Sequence, residues 1–340
     1  MAPPVSGFKL NENGIPNFED LPLRKTDPHL SAWGLYGDKD ELGTLNRLTD
    51  ERVAAAAKNE IKTGHRISLN WPLNAQPEVS FFQRQVFHQE LIRKDPRVVN
   101  DDVWTFNSQV STQWDGLRHF AYQHEQKFYN GITQDDIHSV GADGKRSTVN
   151  GIHAWAEHGI VGRGILIDYH SWRLSQPASA PLTPYDSFET LSIPLSELQA
   201  CLAAQGTVPQ FGDILFIRSG FTAANAAKTP AQIAAHQAVV PHHFGGVARA
   251  DDVLRWIWAH FAAVAGDQPS FESWPAPPGA PYALHEVLLA GWGCPIGELF
   301  DLERLAEYCK EQGRWSFFVS SEPCNVPGGV ASPPNVLAIF

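Results

Sequence analysis

The sequence predicts a single α/β domain. Two compact apolar runs, residues 164–169 (GILIDY) and 213–218 (DILFIR), are each bounded by glycine and read as buried strands. Helical patterns are mixed with them, without strict βαβ alternation: residues 193–204 carry Leu195, Leu198 and Leu202 at helical spacing, and 251–263 (DDVLRWIWAHFAA) carry Val253, Leu254, Ile257, Trp258 and Phe261. No internal repeat or low-complexity linker divides the 340 residues, of which 43% are hydrophobic, enough for one large core.

Taken in order, residues 1–32 are rich in Pro, Asn and Asp and read as an extended arm, with the domain proper over 33–340. Residues 31–46 form a loop with three glycines. A helix follows over 49–60, capped by Thr49 or Asp50 and favoured by the high propensity of Ala54 to Ala57. Residues 66–73 are short and β-like. Residues 108–114 lack Gly and Pro and read as a strand polar on both faces. The helix over 251–263 has an Asp cap, and 284–290 and 302–312 complete the helices. The Pro-rich stretches 176–185 and 273–282 read as surface loops rather than domain boundaries.

Composition excludes several classes of function. The net charge is −11 and no Lys/Arg cluster appears, which argues against nucleic-acid binding. No stretch approaches 18 apolar residues, so no membrane span is expected. The N-terminus lacks the basic start and apolar run of a signal peptide. Cys201, Cys294, Cys309 and Cys324 form no CxxC pair, so neither a thiolate zinc site nor a disulfide scaffold is expected. These features predict a cytoplasmic protein with reduced thiols that acts on a small molecule.

The stretch that carries chemistry is 109–119, QVSTQWDGLRH. Gln109, Gln113, Asp115 and His119 all fall on odd positions, one face of an extended strand, opposite Val110 and Trp114. Such a face lines a cavity or faces solvent on an edge strand; alternation alone does not decide. Aromatic residues crowd the neighbourhood, and Trp114, Arg118 and Tyr122 are candidate substrate contacts. His242 and His243, between Pro241 and Gly245, read either as a substrate-binding loop or as a surface pair. His124 is either an outer partner of His119 or an ordinary loop residue.

The spacing resembles a motif, His-x-Gly-Thr-His-x-Asp-x-Pro-x-His, of the cyclase family that includes bacterial kynurenine formamidase and isatin hydrolases. Thr112, Asp115 and His119 match it. Gln109 and Gln113 stand at the two ligand histidines, Ser111 at the glycine and Leu117 at the proline. Further segments are similar in the same order, over roughly residues 33–325. They are Trp33-Gly34, Asp40-Glu41, Gly43 and Leu45-Asn46; Gly162-Arg163-Gly164 with the following strand; Gly212-Asp213 with ILFIRSG; the turn Gly266-Asp267 with Pro269-Ser270; and His285 with Glu298.

The resemblance implies a cyclase-like (swivelling β/β/α) domain, with a central mixed sheet or flattened barrel flanked by helices, assembled as a homodimer or homotetramer. It implies a divalent metal held by the residues at Gln109, Gln113, Asp115, His285 and Glu298. It also implies His119 as the acid-base group, with Asp115 and Glu298 in the catalytic set. The expected reaction is hydrolysis of a lactone, lactam or formamide; the alternatives are a metal-independent lyase, isomerase or cyclase, or a binding protein on an enzyme scaffold.

The two glutamines have physical consequences. A carboxamide oxygen is neutral and hard, so exchanging imidazoles for amides favours Mn²⁺ or Mg²⁺ over Zn²⁺, or leaves the site metal-free with His119 and Glu298 as an acid-base pair. Gln113 and Asp115 are about 6.6 Å apart along a strand, close enough to share an ion. Gln109, about 13 Å from Gln113 on a straight chain, joins them only if the backbone bends at Ser111-Thr112.

Overall fold

The computed structural model describes residues 8–340 except 178, 181, 183, 184, 277 and 278. Its strands are β1 (Arg66–Ser68), β2 (His88–Arg93), β3 (Asn100–Thr105), β4 (Gln113–Asp115), β5 (Ile160–Ile167), β6 (Ser192–Ile193), β7 (Asp213–Ile217), β8 (Gly246–Val247), β9 (Phe261–Gly266), β10 (Ile296–Glu298), β11 (Ser316–Ser321), β12 (Ala331–Ser332) and β13 (Val336–Ile339). Nine of these form one mixed sheet in the order β1-β13-β11-β5-β7-β9-β10-β4-β12. The centre, β5-β7-β9-β10, is parallel, and both flanks are antiparallel. This is the mixed α/β sheet with flanking helices that the sequence predicts. Both apolar runs at its centre are strands because each is buried on both faces.

The helix Asp50–Glu60 starts at Thr49, whose hydroxyl accepts from the Arg52 amide at 3.4 Å. The helix Leu195–Gln205 ends at Gly206, in the left-handed conformation that glycine adopts freely. Two details differ from expectation. The helix starting at Asp251 ends at His260, and its N-cap is Ala250, with Asp251 and Asp252 in the first turn. From Phe261 the chain is strand β9, fully buried between β7 and β10. A short apolar run such as FAAVA satisfies a helix and a central strand equally; the sheet decides. Residues 286–291 are a π-helix rather than an α-helix.

The N-terminal segment packs on its own chain. Ile15, Phe18, Leu21 and Leu30 belong to the main core, and the indoles of Trp258 and Trp292 donate to the Pro16 and Leu30 carbonyls at 2.9 and 2.7 Å. Parts of both Pro-rich loops lie outside the described residues. Among the described residues, no helix is long and apolar enough to cross a membrane.

The pairing of β4 with β10 positions the site. Gln113 lies opposite Glu298, Trp114 opposite Gly297 and Asp115 opposite Ile296. Successive side chains alternate, so Gln113, Asp115 and Glu298 share one face while Trp114 enters the core on the other. There its ring packs edge-on against Phe300, and its indole donates to Ser321 Oγ at 2.9 Å. Gly297 makes room for this: a β-carbon there would sit 2.6 Å from Ala265 Cβ, 2.6 Å from Phe300 Cε2 and 2.9 Å from Trp114 Cζ3. Gly297→Ala is therefore expected to destabilise the fold by about 1–3 kcal/mol through overpacking. Chemical denaturation checks this, and an unchanged midpoint would mean that Trp114 repacks freely.

Candidate functional site

The site is built where β4 ends and the chain turns. Only residues 113–115 of the stretch 109–119 are strand. Before them the backbone bends at Ser111-Thr112. Ser111 Oγ donates to the Trp71 and Pro72 carbonyls, each at 3.0 Å. Thr112 Oγ1 donates to the Leu299 carbonyl and accepts from the Trp71 amide, both at 2.6 Å. After the strand, the His119 amide closes a turn onto the Gly116 carbonyl at 3.0 Å. The two bends bring Gln109 and His119 back over Asp115.

Asp115 is the centre of the cluster and is fully buried. Its Oδ1 accepts from Gln109 Nε2 at 2.7 Å. Its Oδ2 is buried with no hydrogen-bond partner among the described residues. This atom lies 3.8 Å from His119 Nε2 and 3.9 Å from His285 Nε2. Asp115, His119 and His285 offer one ligand atom each, all within 4.8 Å of one another, an arrangement able to hold a metal ion. A carboxylate oxygen without a donor, faced by two imidazole nitrogens, fits a divalent cation in both charge and chemistry.

Around this trio the remaining groups are engaged with one another. Glu298 Oε2 accepts from Gln113 Nε2 at 3.0 Å, and Oε1 accepts from the Phe271 amide at 3.1 Å and lies 3.2 Å from His285 Nε2. Gln113 Oε1 is buried without a partner among the described residues. His285 stands at the head of the π-helix, and its Nδ1 faces Glu272 Oε2 at 2.6 Å. Arg249 lies 3.8 Å from the other Glu272 oxygen.

Electrostatics separates the two histidines. Burial alone would lower His285, but the Glu272 and Glu298 carboxylates outweigh it and hold the imidazole well above its ordinary range. Burial would raise Glu272, but His285 pulls it down. Glu298 is pushed up to about 7, by burial first and by the Asp115 charge second. His119 falls to about 4, chiefly through burial, which the Asp115 charge opposes and His285 and Arg84 reinforce. Its side chain is nevertheless 21% exposed, the most open member of the trio.

The folded protein thus binds fewer protons at His119 between about pH 4 and 6.5 than the unfolded chain does. The stability contributed by this depressed value is fully present above 6.5 and lost as pH falls through that window toward 4. NMR titration of the metal-free protein should show His119 neutral down to about pH 4; a midpoint near 6.5 would mean that the ring is solvated.

Several sequence candidates lie elsewhere. Trp114, expected to touch substrate, is in the core behind the site. Arg118 donates to the Val149, Gly328 and Ser147 carbonyls at 2.6, 2.8 and 2.9 Å, so it ties loops together. Tyr122 is buried, with its hydroxyl on the His29 carbonyl at 2.7 Å. His243 is exposed and contacts Thr190 Oγ1 at 2.7 Å, while His242 accepts from the Phe82 amide at 2.9 Å inside an aromatic cluster. His124 is 97% exposed, on the surface. A cleft of about 860 Å³, lined by Tyr36, Asp40, Asn46, Asp50 and His158 among others, contains none of the site residues.

Sequence reasoning missed Glu272, the partner of His285; Phe120, one of the aromatics that crowd the site stretch, has its ring 5.4 Å from that of His285. Glu272 stands two residues after the Pro269-Ser270 turn, and that proximity was the available signal.

Comparison with known proteins places the chain. Residues 43–273 match the family described as "Putative cyclase". A crystal structure described as that of a novel cyclase is 30% identical with a TM-score of 0.77, covering 91% of this chain and 99% of that one. Isatin hydrolase A from Ralstonia solanacearum is 16% identical with a TM-score of 0.53, covering 86% of this chain and 98% of that one. Isatin hydrolase A from Labrenzia aggregata, bound to benzyl benzoate, is 14% identical with a TM-score of 0.52, covering 87% and 98%. These last two share the fold. No curated protein matches. With the matched span exceeding half its length and the novel cyclase at 30% identity, the chain belongs to the cyclase family.

Proposed function

We propose that this chain is a hydrolase that cleaves a cyclic or aryl amide or ester (a lactone, lactam or formamide) of a small aromatic molecule. The observation that carries the reading is the buried, partnerless Asp115 Oδ2 between the two imidazoles, next to the solvent-reaching edge of His119. The isatin hydrolases that share the fold are consistent with it. A divalent ion bound by Asp115 and His285, with His119 in reach, would polarise the scissile carbonyl. If His119 also ligated, two nitrogens and one oxygen would suit Zn²⁺ or Mn²⁺ better than Mg²⁺. The expectation of Mn²⁺ or Mg²⁺ over Zn²⁺ rested on Gln113 and Glu298 as oxygen donors; Gln113 Nε2 occupies one Glu298 oxygen, while Gln113 Oε1 is unpartnered among the described residues.

The chain's own residues do the rest. His119, neutral at physiological pH, takes the proton of the attacking water at Nε2 and returns it to the leaving nitrogen or oxygen. Asp115 orients that ring and favours its charged form once the proton arrives. Glu272 fixes His285 through Nδ1 and so aims Nε2 into the site. Phe120 supplies a flat apolar wall for an aromatic substrate.

A second reading, a metal-independent lyase, isomerase or cyclase, is favoured by one observation. The amide nitrogens of Gln109 and Gln113 each donate to a site carboxylate, which steadies Asp115 and Glu298 without a cation. Turnover of isatin, an aryl formamide and an aryl lactone tests the choice. Ring opening or deformylation of at least one supports the hydrolase. Absence of hydrolysis with all three, in protein that is folded and ion-loaded, would move the assignment to the second reading.

A further inference from the structure

Facing Gln109 is a turn that the reaction scheme does not use. Residues Phe82 and Gln83 have φ of 61° and 54°, the left-handed region that non-glycine residues seldom occupy. Such backbone persists only where its surroundings fix it, and it clusters at functional sites. Here the fixings are explicit. The Phe81 amide donates to Gln76 Oε1 and the Phe82 amide to His242 Nε2, each at 2.9 Å. Ser80 Oγ donates to the Arg84 carbonyl at 2.5 Å. Gln76 Nε2 in turn donates to the Val110 carbonyl at 2.6 Å, which ties the turn to the site stretch.

The turn presents two half-buried side chains. Arg84 Nη1 donates to the Gln109 carbonyl at 2.8 Å, and the side chain of Gln109 touches both Asp115 and His119. The Arg84 guanidinium also lies over the Phe82 ring, 5.1 Å from its centroid. Phe82 continues into an aromatic wall with Phe244 and Trp274, at centroid distances of 5.7 and 6.2 Å. No carboxylate pairs with Arg84 among the described residues. A cation held one residue from a hydrolytic centre, beside an aromatic ring and without an internal counter-ion, is arranged for an anionic aromatic ligand.

We propose that Phe82 and Arg84 form the specificity wall of this site, Phe82 against the aromatic ring and Arg84 on a carboxylate of the substrate or product. This rests on the hydrolase reading and names its substrate class. Opening a lactam adds water across the acyl C–N bond. The water oxygen becomes part of a carboxylate, one proton stays on nitrogen and the other leaves to solvent, so an aromatic carboxylate is formed where Arg84 receives it.

The test is binding of 2-aminobenzoate and of its methyl ester, followed by their intrinsic fluorescence, to the full chain and to Arg84→Gln and Arg84→Lys. The wild type should bind the acid at least about tenfold more tightly than the ester. Arg84→Gln should abolish that preference with the ester affinity unchanged, and Arg84→Lys should keep part of it, because charge without the planar fork holds a carboxylate less well. Equal binding of acid and ester, absence of binding by either, or a preference that survives in Arg84→Gln would overturn the proposal. This binding assay needs no turnover. An anion preference that follows Arg84 in a protein inert toward isatin, formamide and lactone would sink the hydrolase reading alone; turnover without the preference would sink only the role of Arg84.

Discussion

His119→Ala is expected to lower turnover by roughly 10²–10⁴-fold, the range for a positioned acid-base group. The reason is specific to this ring. Its Nε2 faces the free oxygen of Asp115 at 3.8 Å, burial keeps it neutral, and its edge alone among the trio opens appreciably to solvent. Ion content measured on the same variant separates two roles. An ion retained with turnover lost assigns proton transfer to His119. An ion lost together with turnover makes His119 a third ligand, as its place within 4.8 Å of Asp115 and His285 permits. A loss smaller than tenfold in a folded protein would remove His119 from the chemistry.

Asp115→Asn should have a comparable effect by another route. The variant keeps the shape and removes the charge of a carboxylate whose Oδ2 has no hydrogen-bond partner among the described residues. Ion affinity should fall by more than the roughly 10–100-fold seen when an outer partner of a metal ligand is removed. Turnover should fall by roughly 10³-fold, since several kcal/mol of charge stabilisation go with the ion. The burial of Asp115 predicts little structural disturbance, because an amide can still meet Gln109. Undiminished ion binding, measured by calorimetry on metal-free protein, would show that the ion sits elsewhere.

The parts of the fold that were legible in the sequence are those where one local pattern has one outcome. GILIDY and DILFIR are apolar throughout and bounded by glycine, and they became the central strands β5 and β7. Phe261 to Ala263 read as the end of the preceding helix but open strand β9, because their burial comes from neighbours distant in sequence. In the site, odd spacing placed Gln113 and Asp115 on one face, as the strand Gln113–Asp115 shows. The same spacing put Gln109 and His119 on that face of an extended chain, with Gln109 reaching Gln113 only if the backbone bends at Ser111-Thr112. The structure bends there, where the Ser111 and Thr112 hydroxyls reach Trp71, Pro72 and Leu299, and again after the strand, where the His119 amide closes onto Gly116. No local pattern encodes those partners. Trp114 and Tyr122 were candidates for substrate contact because aromatics line pockets, but strand alternation sends Trp114 into the core and the N-terminal segment covers Tyr122. Arg84 was invisible for the opposite reason: its place beside Gln109 depends on two left-handed residues that a sequence does not announce.

The central claim is that Asp115, His119 and His285 form a cation-dependent hydrolytic site despite glutamine at two positions where relatives are expected to have histidine. The most direct measurement is elemental analysis of the full chain purified without chelator, paired with turnover of isatin before and after chelation. The account predicts about one divalent ion per chain, with turnover lost on chelation and restored by Zn²⁺ or Mn²⁺. A chain that carries no ion, takes up none when Zn²⁺ or Mn²⁺ is added, and turns over unchanged in chelator would contradict it.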